Sequence, residues 1–556
     1  MVNVKNLFGM AVMATALVGC SSNDNLAPDG KDNVGKTGEA YASFTINLPT
    51  TSGTRADEPG TPSFAEGEAK EYEVKNGTIL IFTNEGKFVT SAQLGNMNPW
   101  KDIKTDGVTT AATATVKLSG VTVGGNYQAL VLLNNDVDAS TSKVKLPTAG
   151  ESYATWSAKA ENATAAYTKT DYIFMANAPK YTDASAEPTT LVPVANICAS
   201  REQAEAKAAT TVYVERGLAK VTMQKFNADG YAIAAGTYKG DKVEIKAWQL
   251  DVTNKSTFPV HQTSSLTDGF ANIWSTPRFY DGDNKTFKRV YWGVDPNYSD
   301  ATLQNLIACK DAFNMIGKDD IAGKTGNDHP QYCLENTFDL ANMMQGQTTR
   351  VVFKAVFTPK DFTTGQTFYK IGNNTAIWDA TKLAQQIHTV AVTAMGITDA
   401  AEQENYVVKL DASTNNISGT AGLHTITAAN IEYKGTGTSL VAANIDKINE
   451  KLGLKETGIS TYLNGEAYYI ARIKHFNELT PWTAGEGYGT ANDKYLGRYG
   501  VLRNNWYDLS VNSISGLGYP DIPEVKPDVP DDENEKYINV EVKILDWAKR
   551  SQSIDL

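Results

Sequence analysis

Cysteine is scarce in this chain. Its 556 residues hold four: Cys20, Cys198, Cys309 and Cys333. The three that lie beyond the N-terminus make no disulfide framework. Two readings stand for Cys309 and Cys333, a bridge or small buried hydrophobes. Positive charge is short as well. Lys and Arg number 51 against 63 Asp and Glu, a net charge of −12. No basic patch for a phosphate backbone is expected, and so no nucleic-acid partner. The acidity favours solubility and says nothing about fold. Long apolar runs are also missing. Leu7 to Val18 (LFGMAVMATALV) follows Lys5 and is too short to span a bilayer, and no later stretch is longer.

Catalytic patterns are equally hard to find. His261, His329, His388, His424 and His475 are scattered, and no pair has zinc spacing. GKDDIAGKT, at Gly317 to Thr325, has five residues between its glycines where a phosphate loop needs four. GEGYGT, at Gly485 to Thr490, has no helix after it to hold a pyrophosphate. There is no GxSxG motif, and no catalytic pair stands out among the acids. Neither cofactor nor metal is expected, and the weight shifts from an enzyme to a binding or structural role.

What the chain does have is β pattern. It is 41% hydrophobic with 26 Tyr and 44 Gly, ordinary globular composition weighted toward strands and turns. In AYASFTINLPT, Ala42, Phe44, Ile46 and Leu48 alternate with Ser43, Thr45 and Asn47, the mark of a half-buried strand. TTSGTRADEPGTPS follows, a soft stretch with the single Arg55, of the kind proteases nick. GTILIF, ATATVKLSGV, NYQALVLLN and DYIFMAN read as further strands. TTVYVERGLAKVTMQKF, from Thr210, opens a second series after a boundary near residue 208. VEIKAWQLDVTN and TTRVVFKAVFTP continue it. Ile445, Ile448 and Leu452 sit at helical spacing before Gly453, a stop. The expected fold is all-β with minor helices: two β-sandwiches in tandem, with helical insertions in the second.

The chain ends in KYINVEVKILDWAKRSQSIDL. Ile538, Val540, Val542 and Ile544 share one face of a strand, with Asn539, Glu541 and Lys543 on the other. It hangs behind Tyr519 to Lys536, a linker with four prolines and many acids that is expected to stay extended. Such a strand is expected to have no sheet of its own and to enter another molecule's. Burying its four apolar side chains stabilises by roughly 1.5–3 kcal/mol each, on the order of 6–12 kcal/mol before ordering costs.

LVGC, at Leu17 to Cys20, looks like a lipobox. Lipobox, strand, lone Arg, two β units, linker and final strand together resemble the shaft fimbrillins of Bacteroidales type V pili, in particular the minor-fimbrium shaft subunit. VERGLAKVTM, AWQLDVTNKS, RVYWGVDPNY, GEAYYIARI and RYGVLRNNWYDLSVNSISGLGYP resemble family phrases, the last most specifically. The resemblance implies transthyretin-like sandwiches and this organisation: signal peptide 1–19, lipidated propeptide 20–55, N-terminal sandwich 56–208, C-terminal sandwich 209–518, linker 519–536 and donor strand 537–556. It implies a palmitoylated lipoprotein precursor, acylated at Cys20 and held at the outer membrane. A trypsin-like surface protease would cut between Arg55 and Ala56. The strand Ala42, Phe44, Ile46, Leu48 would then leave, and the groove would take Ile538, Val540, Val542, Ile544 and Trp547 of another copy. Partners would be further copies, with anchor and tip fimbrillins, in a cell-surface fimbrium serving adhesion. Alternatives are a tip, anchor or accessory fimbrillin, or a surface glycan-binding lipoprotein. For the last, the tryptophans (Trp100, Trp156, Trp248, Trp274, Trp292, Trp378, Trp482, Trp506, Trp547) are too dispersed to suggest a sugar platform.

Overall fold

The structure is a computed structural model. It describes residues 37–49, 68–95, 101–102, 108–135, 144–162, 172–179, 188–263, 292–321, 329–455, 457–475, 497–531 and 538–546. Cys20, Arg55, Ala56 and Trp547 lie outside these residues. The fold is mostly β-sheet with few helices.

The N-terminal strands are β1 (Thr37–Pro49), β2 (Gly77–Thr83), β3 (Phe88–Gln93), β4 (Val108–Thr122), β5 (Tyr127–Leu133), β6 (Met175–Asn177) and β7 (Thr210–Arg216). They run in the order β3-β2-β5-β6-β7-β1-β4, and two short strands, one beyond β4 and one off this path beside β5, complete a nine-stranded sheet. The path folds over itself. Apolar side chains of β1, β4 and β7 share one core with those of β2 and β5. Alternation drives this closure, because each strand offers one apolar face and the two arms of the sheet bury them against each other.

The expected boundary near residue 208 falls ahead of β7. Yet β7 pairs with β1 and β6, and sheet membership changes only at Gly217 and Leu218. The sequence runs β-competent through TTVYVERGLAKVTM, so only Gly217 marks the crossing.

The second unit holds β8 (Ala219–Met223), β9 (Lys242–Asp251), β10 (Gln331–Cys333), β11 (Arg350–Thr358), β12 (Glu466–Arg472), β13 (Asn505–Ile514) and β14 (Ile538–Asp546). Two sheets form, β10-β8-β13-β14 and β9-β11-β12, the latter extended by Tyr231–Ala232 beside β9. Their facing sides share one core that includes Val221, Trp248, Phe353, Tyr469, Tyr507 and Leu509.

A helical insertion sits between β11 and β12. Helices α1 (Ala380–Met395) and α2 (Val441–Lys451) pack on a small sheet around a third core containing Leu383, Ile387 and Ile448. Asp379 caps α1 by accepting from Lys382 N at 2.8 Å. Gly453, the expected stop of α2, adopts φ 72°, a conformation that favours glycine.

The proline-rich linker is docked over its described length. Tyr519 exchanges backbone hydrogen bonds with Tyr468, both 2.8 Å. Arg350 Nη2 donates to Pro523 O at 3.0 Å, and Val525 is buried beside Cys309 and Phe313. Gln345 N donates to Val529 O at 2.9 Å, and Thr348 Oγ1 donates to the buried Asp531 carboxylate at 2.9 Å. Proline keeps such a segment stiff but does not keep it off the surface. Here the backbone carbonyls and one carboxylate find partners on the second unit.

Candidate strand-exchange site

β1 is an interior strand. It runs parallel to β7, pairing Phe44 with Thr210 and Asn47 with Tyr213, and antiparallel to β4 along its whole length. In the strand order it stands between β7 and β4. Ala42, Phe44, Ile46 and Leu48 are all buried in the first core, with Ala40 beside them.

The opposite face is also covered in part. Ser43 Oγ lies 2.7 Å from Thr115 Oγ1 and donates to Ala204 O at 2.9 Å. Ala204 belongs to the short helix Arg201–Glu205, which roofs the strand at this point. Thr45 Oγ1 meets Thr113 Oγ1 at 2.9 Å in the open. Withdrawing β1 would therefore uncover one edge of β7, one edge of β4 and an apolar trough between them.

β14 has a place in its own chain, contrary to the expectation that it has none. It pairs antiparallel with β13 from Ile538 opposite Ile514 to Asp546 opposite Asn505, with an irregularity between Val511 and Ser513. It is the edge strand of its sheet. β13 is parallel to β8. The series β8, β13, β14 thus repeats the parallel-then-antiparallel arrangement of β7, β1, β4.

A buried polar cluster joins the two units. Lys220 Nζ of β8 is 2.6 Å from Glu71 Oε1, and Tyr332 OH donates to the same oxygen. The Lys220 ammonium lies over the Trp506 ring, 3.9 Å from its centroid. Arg216 Nε donates to Glu71 O at 2.9 Å. Burial pushes the Glu71 carboxyl up, but Lys220 and the hydrogen bonds outweigh it and hold the group below the ordinary carboxylate range. Nearby, His261 Nδ1 is 2.9 Å from Glu215 Oε1 and its Nε2 is 3.1 Å from Trp292 O. Both ring nitrogens face acceptors, so the imidazolium satisfies the site best. Sequence reading missed this cluster, since its members are far apart in the chain and no spacing links them.

Among the described residues no group of His, Cys, Asp or Glu could hold a metal ion. Cys309 and Cys333 are unbridged and buried, so the bridge reading of the two falls. Burial pushes their thiols, Cys309 up to about 11 and Cys333 up to about 12, into the unreactive range. In the glycine segment starting at Gly317, the Asp320 carboxylate accepts Gly317 N–H at 2.7 Å, where a phosphate loop would present that donor to its ligand. No helix is long and apolar enough to cross a membrane among the described residues.

Known proteins add the following. No curated protein matches the chain. It is similar in structure to a cell adhesion protein from Parabacteroides distasonis, at 10% identity and TM-score 0.37, covering 92% of this chain and 99% of that one. A fimbrial assembly protein from the same organism gives 13% identity and TM-score 0.29, over 58% of this chain and 88% of that one. The C-terminally truncated tip fimbrial protein Mfa3 from Porphyromonas gingivalis gives 10% identity and TM-score 0.30, over 91% of this chain and 100% of that one. Residues 460–553 match the family described as major fimbrial subunit protein type IV, fimbrillin, C-terminal. That match takes in β12, β13 and β14 together, so the C-terminal part of the chain, including its last described strand, is similar to the C-terminal region of fimbrillins.

Proposed function

We propose that this chain is a fimbrillin, a shaft subunit that polymerises at the cell surface by protease-triggered strand exchange. The observation that carries this reading is the placement of β1. A strand buried on its apolar face, and hydrogen-bonded on both edges, is followed directly by the soft segment holding Arg55. Cleavage there frees β1 from everything but non-covalent contacts. A strand with the same alternation waits at the far end of the chain. In this scheme the precursor is lipidated at Cys20 and reaches the outer membrane with β1 folded in. A trypsin-like protease cuts between Arg55 and Ala56, and β1 leaves. The C-terminal strand of another copy fills the trough, giving backbone hydrogen bonds along both edges and apolar side chains in alternate pockets.

The pairing of β14 with β13 adds a step. Before a copy can donate β14, that strand must leave its own edge position. An edge strand gives up hydrogen bonds along one side only and gains them along two in the groove, so the exchange runs toward the polymer. Anchor and tip fimbrillins would end the chain of exchanges. An anchor would keep its lipid, and a tip would have no subunit to donate to. The role is structural and non-enzymatic, with adhesion exercised through the assembled fimbrium.

N-terminal sequencing of surface-sheared material, with electron microscopy of the same sample, tests this. A start at Ala56 in filaments supports it. Filaments that retain residues 20–55 would remove the protease step and the strand exchange together.

A further inference from the structure

The β1 position is unequal along its outer face, and that inequality selects how a donor can lie in it. Ser43 sits under the helix Arg201–Glu205, 7% exposed, with its hydroxyl 2.9 Å from Ala204 O and 2.7 Å from Thr115 Oγ1. A residue there must be small and able to hydrogen-bond. Thr45, two residues on, meets Thr113 in an exposed contact and tolerates a charged side chain. On the donor, the residues alternating with the apolar ones are Tyr537, Asn539, Glu541, Lys543 and Leu545. Glu541 and Lys543 would carry an unpaired charge beneath the helix, which burial penalises. Tyr537 and Leu545 are too large for a gap closed at hydrogen-bond distance. Asn539 alone is compact, polar and uncharged.

We propose that Asn539 of a second copy takes the Ser43 position beneath Ala204 and thereby fixes the register and direction of the inserted strand, which runs the same way as β1. This rests on the strand-exchange reading above. Ile538 then replaces Ala42, Val540 replaces Phe44, Val542 replaces Ile46 and Ile544 replaces Leu48. The extra bulk of isoleucine at the first position offsets the loss of the phenyl ring at the second, so the trough is refilled at nearly constant volume. Glu541 falls at the open Thr45 position. Lys543 falls at Asn47, which is 9% exposed and lies opposite Ala111 and Tyr213 two residues before the end of β1, so its stem must reach past that end to set the ammonium in water. The donor stays parallel to β7 and antiparallel to β4. In the opposite direction the same apolar residues would still point inward, but Lys543 would come under the helix.

Paired cysteines read the register directly. After cleavage and assembly of the full chain, N539C/T115C filaments should run as covalent ladders on non-reducing gels, and K543C/T115C filaments as single subunits. In the uncut precursor, S43C/T115C should close an internal bridge at the same spot. Asn539→Lys should abolish filaments, while Asn539→Ser retains them. Ladders from K543C/T115C alone would reverse the direction. Filaments in which neither pair cross-links, or that form normally with Asn539→Lys, would overturn the register while leaving strand exchange standing. If the cleaved wild-type chain forms no filaments, strand exchange itself fails, and the register with it.

Discussion

Lys220 Nζ and Glu71 Oε1 are 2.6 Å apart in a place where neither side chain reaches solvent. Glu71 lies between the Arg55 segment and β2, and Lys220 is in the first strand of the second unit. On the proposed cleavage at Arg55, the pair would tie the beginning of the remaining chain to the far side of the domain junction. β1 could then leave without taking the junction apart, because its core residues lie in the first core and not in this cluster.

Breaking that pair should be expensive. Lys220→Met leaves Glu71 charged and buried, and should destabilise by about 3–5 kcal/mol. Glu71→Gln with Lys220→Met should recover most of the loss. Urea unfolding of the uncut precursor measures both. Equal losses in single and double variants would mean that the lysine acts through packing on Trp506 alone.

Stability should fall as pH rises through neutrality. Burial of His261 opposes its charge, but Glu215 and Glu335 outweigh burial and Arg503 and hold its pKa above the ordinary value. A raised folded-state pKa gives stability that is whole below the unfolded value of about 6.5 and is lost as pH climbs through the folded one. Asp295 acts in the same direction. Burial, against hydrogen bonds from Thr337, Asn297 and Asn254, lifts its carboxyl to about 7, so folding increasingly forfeits charge as pH rises from about 4 toward that value. Thermal melts should give a higher Tm near pH ~6 than near pH ~8. His261→Gln should flatten that slope, and an unchanged slope would show that His261 is neutral in the native chain.

Phe44→Ala should separate the precursor from the polymer. Phe44 is wholly buried in the first core, and its truncation should cost the uncut chain about 3–5 kcal/mol. On the proposed route the residue leaves with β1, so filaments of this variant should melt like wild type. A matching loss in filaments would mean that β1 stays.

Arg55→Ala should give a folded, lipidated monomer, because an uncut strand occupies the trough. Gel filtration and electron microscopy of surface material check this. Full-length filaments would remove Arg55 as the gate and turn attention to Lys36 or Lys70.

Removing Tyr537 to Leu556 should abolish polymerisation and leave the monomer folded, with a small loss of Tm from uncovering the β13 edge. Val540→Asp with Val542→Asp should block assembly by several kcal/mol of desolvation. Glu541→Lys should be mild. The opposite ranking in an assembly assay would mean the wrong face of β14 had been taken as the inserted one.

Local pattern made the strands legible. Period-two alternation placed β1 and β14, and helical spacing with Gly453 placed the end of α2. What sequence could not convey was partnership. The docking of Asp531 depends on Thr348, and the Lys220 site depends on Glu71, Tyr332 and Trp506, residues that only the fold assembles. β7 lies after the expected boundary yet pairs with β1 and β6, because both sheets draw on one unbroken β-rich run. The edge of β13 was unreadable as a resting place for β14, since an alternating strand fits any open edge of suitable polarity.

Asp531 also decides where a filament would feel a pull. Its carboxylate is held by Thr348, two residues ahead of β11, and the neighbouring Val529 carbonyl is held by Gln345 N. Tension arriving through β14 of a donating copy would meet that clamp before reaching the linker behind it. The load would enter at the root of a strand hydrogen-bonded to β9 on one side and β12 on the other. A pull along that strand would load both ladders in shear, so that their hydrogen bonds could not unzip singly. The proposed joint between copies, a strand held on both edges, would meet tension in the same way, and neither the joint nor the subunit body would open one bond at a time.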